Sequence, residues 1–230
     1  MSAPEVLSHA EYVSPGAVND FSLSFALPAG ADLLVAIVHV NNETRFPVAV
    51  CWQDGSNPGG DPPGAPLTCR VKNDGGNGSY NGAGIWTLFK PTSGTHTLYC
   101  KNGGAASACL SAVSLRFAGN SFEGAGLKIN DISITNPAGD VPSHAGDLVI
   151  TAASCTDYNH DANIPDGGQT ALYQAHGASY WSAAWRLAPA GASTPIGYTF
   201  RETASWNEYG GLVGLAIHPR GAGFQAFIVG

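Results

Sequence analysis

A strand motif that occurs twice constrains the fold of this chain more than any other feature of its sequence. The first copy runs from Ile85 to Gly119 and contains IWTLFKPTSGTHTLYC and ACLSAVSLRFAG. These segments have the β-branched and aromatic content of strands, and Pro- and Gly-rich turns separate them. A degenerate second copy contains AAWRLAPAGASTPIGYTF and GGLVGLAIHP. The repeat predicts that both halves of the chain fold into the same β motif.

Each copy is preceded by a similar apolar segment. DLLVAIVHV covers Asp32–Val40, and DLVITAASC covers Asp147–Cys155. A continuous apolar run of this length is typical of a central strand that is covered on both faces. FSLSFAL (Phe21–Leu27) alternates with period two and predicts a half-buried strand, which we match with LKINDISITN (Leu127–Asn136) in the second half.

Composition favours many short strands and tight turns. The 230 residues include 30 glycines and 15 prolines, and only 12% are charged, about half of the usual ~25%. We expect an all-β, two-sheet jelly-roll-like sandwich built from two degenerate halves, about 21–119 and 127–219. One sandwich is preferred because we expect neither half to have a core alone. Two small separate sandwiches are the alternative, and the lack of a linker between the halves counts against them.

The two ends of the chain fall outside the predicted sandwich, which spans 21–219 as one domain. Residues 1–20 contain Pro4 and Pro15 and predict an N-terminal arm with at most one short strand, around Val6 and Leu7. Residues 220–230 form an apolar tail. An apolar terminus needs a surface to pack on, which is either its own sandwich or a neighbouring molecule. Our hypothesis is that a neighbouring subunit or an underlying shell supplies it.

Charge and hydropathy exclude several classes of partner. The net charge is -7, and the basic residues are scattered, whereas a nucleic-acid binder needs clustered Lys and Arg. No apolar run approaches the ~20 residues of a membrane span. The first residues have neither the basic nor the apolar region of a signal peptide, so we expect synthesis in a host cytoplasm. We therefore expect no nucleic acid and no membrane as partners.

The five cysteines are odd in number and form no C-x-x-C motif, so we expect all of them to be thiols. They are Cys51, Cys69, Cys100, Cys109 and Cys155. Cys100 and Cys109 flank one turn and are the pair whose geometry is worth checking for a bridge.

Catalytic and cofactor motifs are not found. The sequence contains no H-E-x-x-H, no G-x-S-x-G and no P-loop, so we predict no catalytic residue, no cofactor and no enzymatic activity. His39 lies in an apolar strand, where a hydrogen-bonded core imidazole is the expected state.

One polar loop has the spacing of calcium ligands. Asp157, Asn159, Asp161 and Asn163 recur at every second residue and offer oxygen ligands. The loop lacks the glycine and the closing glutamate of an EF-hand, so we expect an ordinary polar loop, with a calcium site as the alternative.

Aromatic and apolar residues near turns and in the tail are the candidate partner-binding residues. Trp206 has no aromatic counterpart in the first half, so the repeated fold does not require it. Exposed Trp and Tyr stack on sugars or anchor protein partners, although aromatic side chains also cover the ends of a sandwich core. The candidates are Trp206, Tyr209, Phe224, Phe227, Ile228 and Val229.

The order of these elements resembles a family of β-sandwich proteins that tailed-phage and bacterial genomes encode. The similar segments are ADLLVAIV, YNGAGIWTLFKPTSGTHTL and SAVSLRFAG, with WRLAPAG and GLAIHP as weaker matches. The resemblance implies a phage virion component and brings no catalytic residues with it.

From this resemblance we expect a non-enzymatic capsid decoration or cement protein at the virion surface. Its partners would be the major capsid protein or other virion proteins, and its copies would form a homo-oligomer, preferably a trimer. A carbohydrate- or receptor-binding module of a tail or fibre is the alternative.

Overall fold

The computed structural model describes residues 2–41, 45–73, 81–129, 137–155, 160–166, 168–176, 179–202 and 210–221. These residues form strands, turns and short connections, and none of them lies in an α-helix. The part of the chain that is described therefore contains no helix long and apolar enough to cross a membrane. The prediction of an all-β protein is confirmed.

Nine strands lie in the described residues of the first half of the chain. They are β1 (Glu5–Val13), β2 (Val18–Leu27), β3 (Leu33–Val40), β4 (Pro47–Gln53), β5 (Ala65–Pro66), β6 (Thr68–Asn73), β7 (Gly82–Phe89), β8 (Gly94–Ala106) and β9 (Ala108–Arg116). Eight strands lie in the part of the second half that the structure describes. They are β10 (Ala118–Ile129), β11 (Ala138–Pro142), β12 (Leu148–Cys155), β13 (His160–Pro165), β14 (Thr170–His176), β15 (Tyr180–Leu187), β16 (Ser193–Glu202) and β17 (Gly210–Pro219).

The strands pair into four antiparallel sheets, two in each half. In the first half, inner sheet 1 has the order β1-β9-β3-β7-β6, and outer sheet 1 has the order β2-β8-β4-β5. In the second half, inner sheet 2 has the order β10-β17-β12-β15-β14, and outer sheet 2 has the order β11-β16-β13. In both halves the first strand pairs with the last, and the second strand pairs with the last but one. This nesting of strands is the jelly-roll order.

Each half encloses a core of its own between its inner and outer sheets. The first core contains Phe25, Leu34 and Trp52, and the second contains Val149 and Tyr198. Burial of such side chains contributes about 1.5–3 kcal/mol each. Because each inner sheet supplies one face to its own core, its other face remains to be covered.

A third core joins the two halves. Leu33 and Ile37 of β3 pack in it together with Leu148 and Ile150 of β12. Every residue of β3 and of β12 is buried, and successive side chains alternate between two cores. The prediction that these strands are covered on both faces is confirmed. The four sheets therefore stack as outer sheet 1, inner sheet 1, inner sheet 2 and outer sheet 2.

The sequence-based expectation of two sheets and no core within a half is corrected by this layering. A jelly-roll order closes within 5–116 and again within 118–219, so each half completes a two-sheet sandwich. The segment predicted as an N-terminal arm is largely strand, because β1 pairs with β9 along its whole length from Glu5 to Val13. The short strand predicted around Val6 and Leu7 is the start of this longer one.

The match between the halves also shifts near the start of the second half. β10 occupies the position of β1, since each pairs with the last strand of its half. β11 then corresponds to β2, because β11 pairs with β16 as β2 pairs with β8. The counterpart of Phe21–Leu27 is thus Ala138–Pro142 rather than Leu127–Asn136. The short AGDVP segment has too few alternating residues to be recognised from sequence.

Candidate functional site

Most residues that the sequence nominates as a site lie outside the described residues. This applies to the calcium candidates Asp157 and Asn159 and to every partner-binding candidate: Trp206, Tyr209, Phe224, Phe227, Ile228 and Val229. Asp161 and Asn163 lie in β13, but their side chains are not described. Among the described residues, no group of three or more His, Cys, Asp or Glu residues could hold a metal ion. These assignments therefore remain predictions.

A buried polar contact joins the two inner sheets between the end of β3 and the middle of β14. The Nε2 atom of His39 and the hydroxyl of Tyr173 form a hydrogen bond of 2.7 Å. Their rings meet edge to face at 5.9 Å, and the indole of Trp181 lies 6.5 Å from the imidazole. All three side chains are buried. The expectation that His39 is a hydrogen-bonded core imidazole is confirmed.

Burial determines the charge state of this contact. Desolvation lowers the pKa of His39 from its usual 6.5 to about 3, so the imidazole is neutral at pH 7. Desolvation also raises the pKa of Tyr173 well above its usual value. Two neutral groups with opposed pKa shifts do not exchange protons near neutral pH. The hydrogen bond between His39 and Tyr173 is therefore suited to holding the two inner sheets together and not to general acid–base chemistry.

A second polar cluster lies at the opposite end of the second half. His218 Nδ1 donates to Asp147 Oδ1 at 2.9 Å, and the backbone N–H of His144 donates to Asp147 Oδ2 at 2.7 Å. The two imidazoles stack with ring centroids 5.6 Å apart. Glu123 Oε1 lies 3.8 Å from His144 Nε2. The Asp147 carboxylate thus connects the turn before β12 to the end of β17.

An aspartate that orients a histidine is also part of catalytic triads, where the histidine activates a nucleophile. Within the described part of the chain, His218 has no hydrogen bond to a hydroxyl or a thiol. Asp32, the counterpart of Asp147 in the first half, has a fastening role as well. It accepts hydrogen bonds from the Phe117 N–H at 2.7 Å and from Arg220 Nη1 at 2.8 Å. Asp32 and Asp147 therefore make structural hydrogen bonds at the start of two equivalent strands.

The repeat matched these two carboxylates to each other, but sequence reasoning assigned them no structural role. The segments DLLV and DLVI begin with the same residue at matched positions, Asp32 and Asp147. An aspartate directly before a buried strand is well placed to accept backbone N–H groups of a turn. A repeated aspartate at this position therefore predicts a carboxylate that stabilises a turn by accepting hydrogen bonds.

The outward face of outer sheet 1 is mainly small and polar. Ser22 and Ser24 of β2 are exposed there, and Thr97 and Tyr99 of β8 are half-buried opposite them. Burial, and after it the neighbouring Asp20, raises the pKa of Tyr99 to about 12, so its phenol is neutral. This face offers hydroxyl groups for contact with another surface.

The five cysteines are thiols in the structure, and Cys100 and Cys109 cannot bridge. Cys100 lies in the core of the first half, whereas Cys109 lies in the core between the halves, on the other side of inner sheet 1. Cys69 alone among the five is exposed. Burial raises the pKa of Cys109 to about 12, which suppresses the reactive thiolate.

Thiol labelling is expected to distinguish these environments. The native protein should react at one position, and Cys69→Ser should abolish that fast reaction. The denatured protein without reductant should show all five thiols. A count of three after denaturation would reveal a disulfide, and fast native labelling of the Cys69→Ser variant would contradict the burial of the other four.

Comparison with known proteins identifies no close relative. No family model and no curated protein matches the chain. Among solved structures, the PBSX exported protein XepA is similar at 8% identity over 93% of this chain and 86% of that chain, with a TM-score of 0.26. The major capsid protein P2 from bacteriophage PM2 is similar at 11% identity over 94% of this chain and 100% of that chain, with a TM-score of 0.27. At these TM-scores neither likeness supports an inference about function.

Proposed function

We propose that this protein is a non-enzymatic structural component of a phage virion and that it decorates the outer surface of the head. The proposal rests on the family resemblance of segments such as ADLLVAIV and SAVSLRFAG. The observation that supports it best is the jelly-roll strand order of both halves, since jelly rolls are an architecture of viral capsid and lectin domains.

The distribution of polar groups also favours a structural role. The buried contacts of His39 and Asp147 and the more exposed contacts of Asp32 join sheets and turns to one another. Three cores fill the spaces between four sheets, and close-packed layers of this kind resist deformation. A protein that reinforces a shell needs such rigidity together with an external surface for docking.

In this proposal the major capsid protein is the partner and the copies assemble as a homotrimer on the head. The polar outward face of outer sheet 1, with Ser22, Ser24 and Thr97, is the described surface that suits contact with a shell. Trp206, Tyr209 and the tail residues remain the predicted additional contacts. A tail or fibre module that binds a carbohydrate or a receptor is the alternative, because jelly rolls also occur in lectins.

Quantitative mass spectrometry of purified particles tests the proposal. We expect the protein to be present in a copy number of the same order as the major shell protein. Deletion of its gene should leave filled heads that release DNA at a lower temperature, and a copy of the gene supplied in trans should restore resistance. A copy number typical of a tail tip, together with specific binding on a glycan array, would instead select the carbohydrate-binding alternative.

A further inference from the structure

The two inner sheets carry equivalent residues at equivalent positions. Leu33 in β3 pairs with Phe89 on one side and Leu115 on the other. Leu148 in β12 pairs in the same way with Leu187 and Ile217. This register aligns every residue of β3 with one of β12 and places His39 at the position of Ser154.

A shared irregularity supports the equivalence. β6 has a bulge at Arg70 where it pairs with β7, and β14 has a bulge at Leu172 where it pairs with β15. The two bulges occupy the same position relative to the aligned strands. Bulges are positional features of a fold rather than random defects, so the matching bulges show that the two inner sheets are structurally equivalent.

The two copies face each other in the manner of a two-fold symmetric dimer. β6 packs on β10, and β1 packs on β14. Because β1 is equivalent to β10 and β6 to β14, the same pair of strands meets twice across the interface. Asn81 precedes β7, and its equivalent Ser179 precedes β15. The Ser179 hydroxyl donates to the Asn81 side-chain oxygen at 2.9 Å. A residue touches its own equivalent only near a two-fold axis, so a pseudo-two-fold axis passes beside Asn81 and Ser179.

Away from this axis the two copies are not interchangeable. His39 of the first half bonds to Tyr173 of the second, but the reciprocal positions hold Ser154 and Val71. The second half supplies Trp181 where the first has Ala83. In a hypothetical dimer of two first halves, the buried His39 would lie opposite Val71, and the imidazole would lose its hydrogen bond. An unpaired buried polar group opposes such pairing.

The edges of the interface differ in the same way. On one side, the guanidinium of Arg70 lies 4.4 Å from the centre of the Phe122 ring. On the other side, the equivalent positions hold Leu172 and Val6, which both belong to the apolar core. A pair of first halves would bring Arg70 to a contact with Val6 that offers no aromatic face. The first half is therefore complementary to the second half and not to a copy of itself.

We propose that the inner-sheet face of each half is a docking surface selective for the other half, so that the chain is a fused heterodimer of two jelly-roll modules. The connection between the modules is a single residue, Phe117, between the end of β9 and the start of β10. The contact of His39 with Tyr173 and Trp181 favours pairing of unlike halves over pairing of like halves. The covalent junction then serves to supply the two modules in equal numbers.

Cleavage of the full chain at its junction tests this proposal. A flexible insert with a protease site is placed after Phe117, circular dichroism confirms the fold, and the protein is cut. The two fragments are expected to stay together as a one-to-one complex at low-micromolar concentration in native mass spectrometry. Mixing with isotopically labelled cut protein should yield exchanged complexes of unlike halves and no complexes of like halves.

A pair of matched variants tests the selectivity. Tyr173 and Tyr198 are both buried, and each hydroxyl is hydrogen-bonded at 2.7 Å, one across the interface and the other to Thr151 within the second half. Tyr173→Phe should weaken association of the cut halves about tenfold, the effect of ~1.4 kcal/mol. Tyr198→Phe should leave the dissociation constant unchanged.

Three results would overturn the proposal: separation of the cut fragments, complexes of like halves, or equal effects of Tyr173→Phe and Tyr198→Phe on association. If the insert prevents folding, the halves are expressed together as separate chains with a tag on one of them. Recovery of the untagged half with the tagged one then supports the proposal. Recovery of the tagged half alone refutes it.

Discussion

Replacement of Trp52 by alanine is expected to lower the free energy of unfolding by about 3–5 kcal/mol. Trp52 is fully buried in the core of the first half, and its indole N–H donates to the backbone oxygen of Thr92 at 3.1 Å. Phe25 packs against it edge to face at 6.4 Å between ring centroids. Alanine leaves a cavity and an unpaired carbonyl, and the loss is a large share of the ~5–15 kcal/mol that stabilises a typical protein.

Chemical denaturation followed by circular dichroism measures this loss. Val48 lies in the same strand, β4, and its side chain is 67% exposed. Val48→Ala is therefore the matched control, with an expected change within about 0.5 kcal/mol. Equal effects of the two substitutions would show that the first half lacks the core described above.

Acidification is expected to destabilise the protein through His39. Below pH 6.5 the imidazole of the unfolded chain takes up a proton, whereas burial keeps the pKa of the folded group near 3. The unfolded state then binds more protons than the folded state, so stability falls as the pH falls. The two pKa values give a loss of about 2 kcal/mol between pH 7 and pH 5, and the loss continues until the pH approaches 3.

Urea denaturation at a series of pH values tests this prediction. His39→Gln removes the titrating group and should flatten the profile between pH 7 and pH 5, although the variant is less stable overall. His9 is exposed on β1, so His9→Gln is the control and should keep the slope of the wild type. An unchanged slope in His39→Gln would show that the folded His39 imidazole accepts a proton.

The sequence predicted the positions of the strands more successfully than the number and stacking of the sheets. β3 has no alternation because both of its faces are covered, and LLVAIVHV shows this directly. A strand covered on both faces needs a sheet on each side, so this pattern already implied more than two sheets. The sequence predicted only the start of β1, because β1 is an edge strand with polar residues such as Ser8 and Glu11 among half-buried ones, and edge positions weaken the apolar pattern.

The sequence predicts that His39 is a buried, hydrogen-bonded imidazole, but it does not predict its partner. A histidine within an apolar strand implies a hydrogen-bonded neutral imidazole, and His39 is of this type. Its partner Tyr173 is 134 positions away in the other half, and no local pattern connects the two. The pairing depends on how the inner sheets stack, and this stacking is a tertiary property.

Electron cryomicroscopy of particles with and without the gene tests most directly the claim that this chain is a head decoration protein. The account predicts difference density on the outer surface of the head, at repeated positions, with the shape of two stacked sandwiches and four layers. Outer sheet 1 should face the shell. Difference density confined to the tail, or identical maps of the two particles, would contradict the claim.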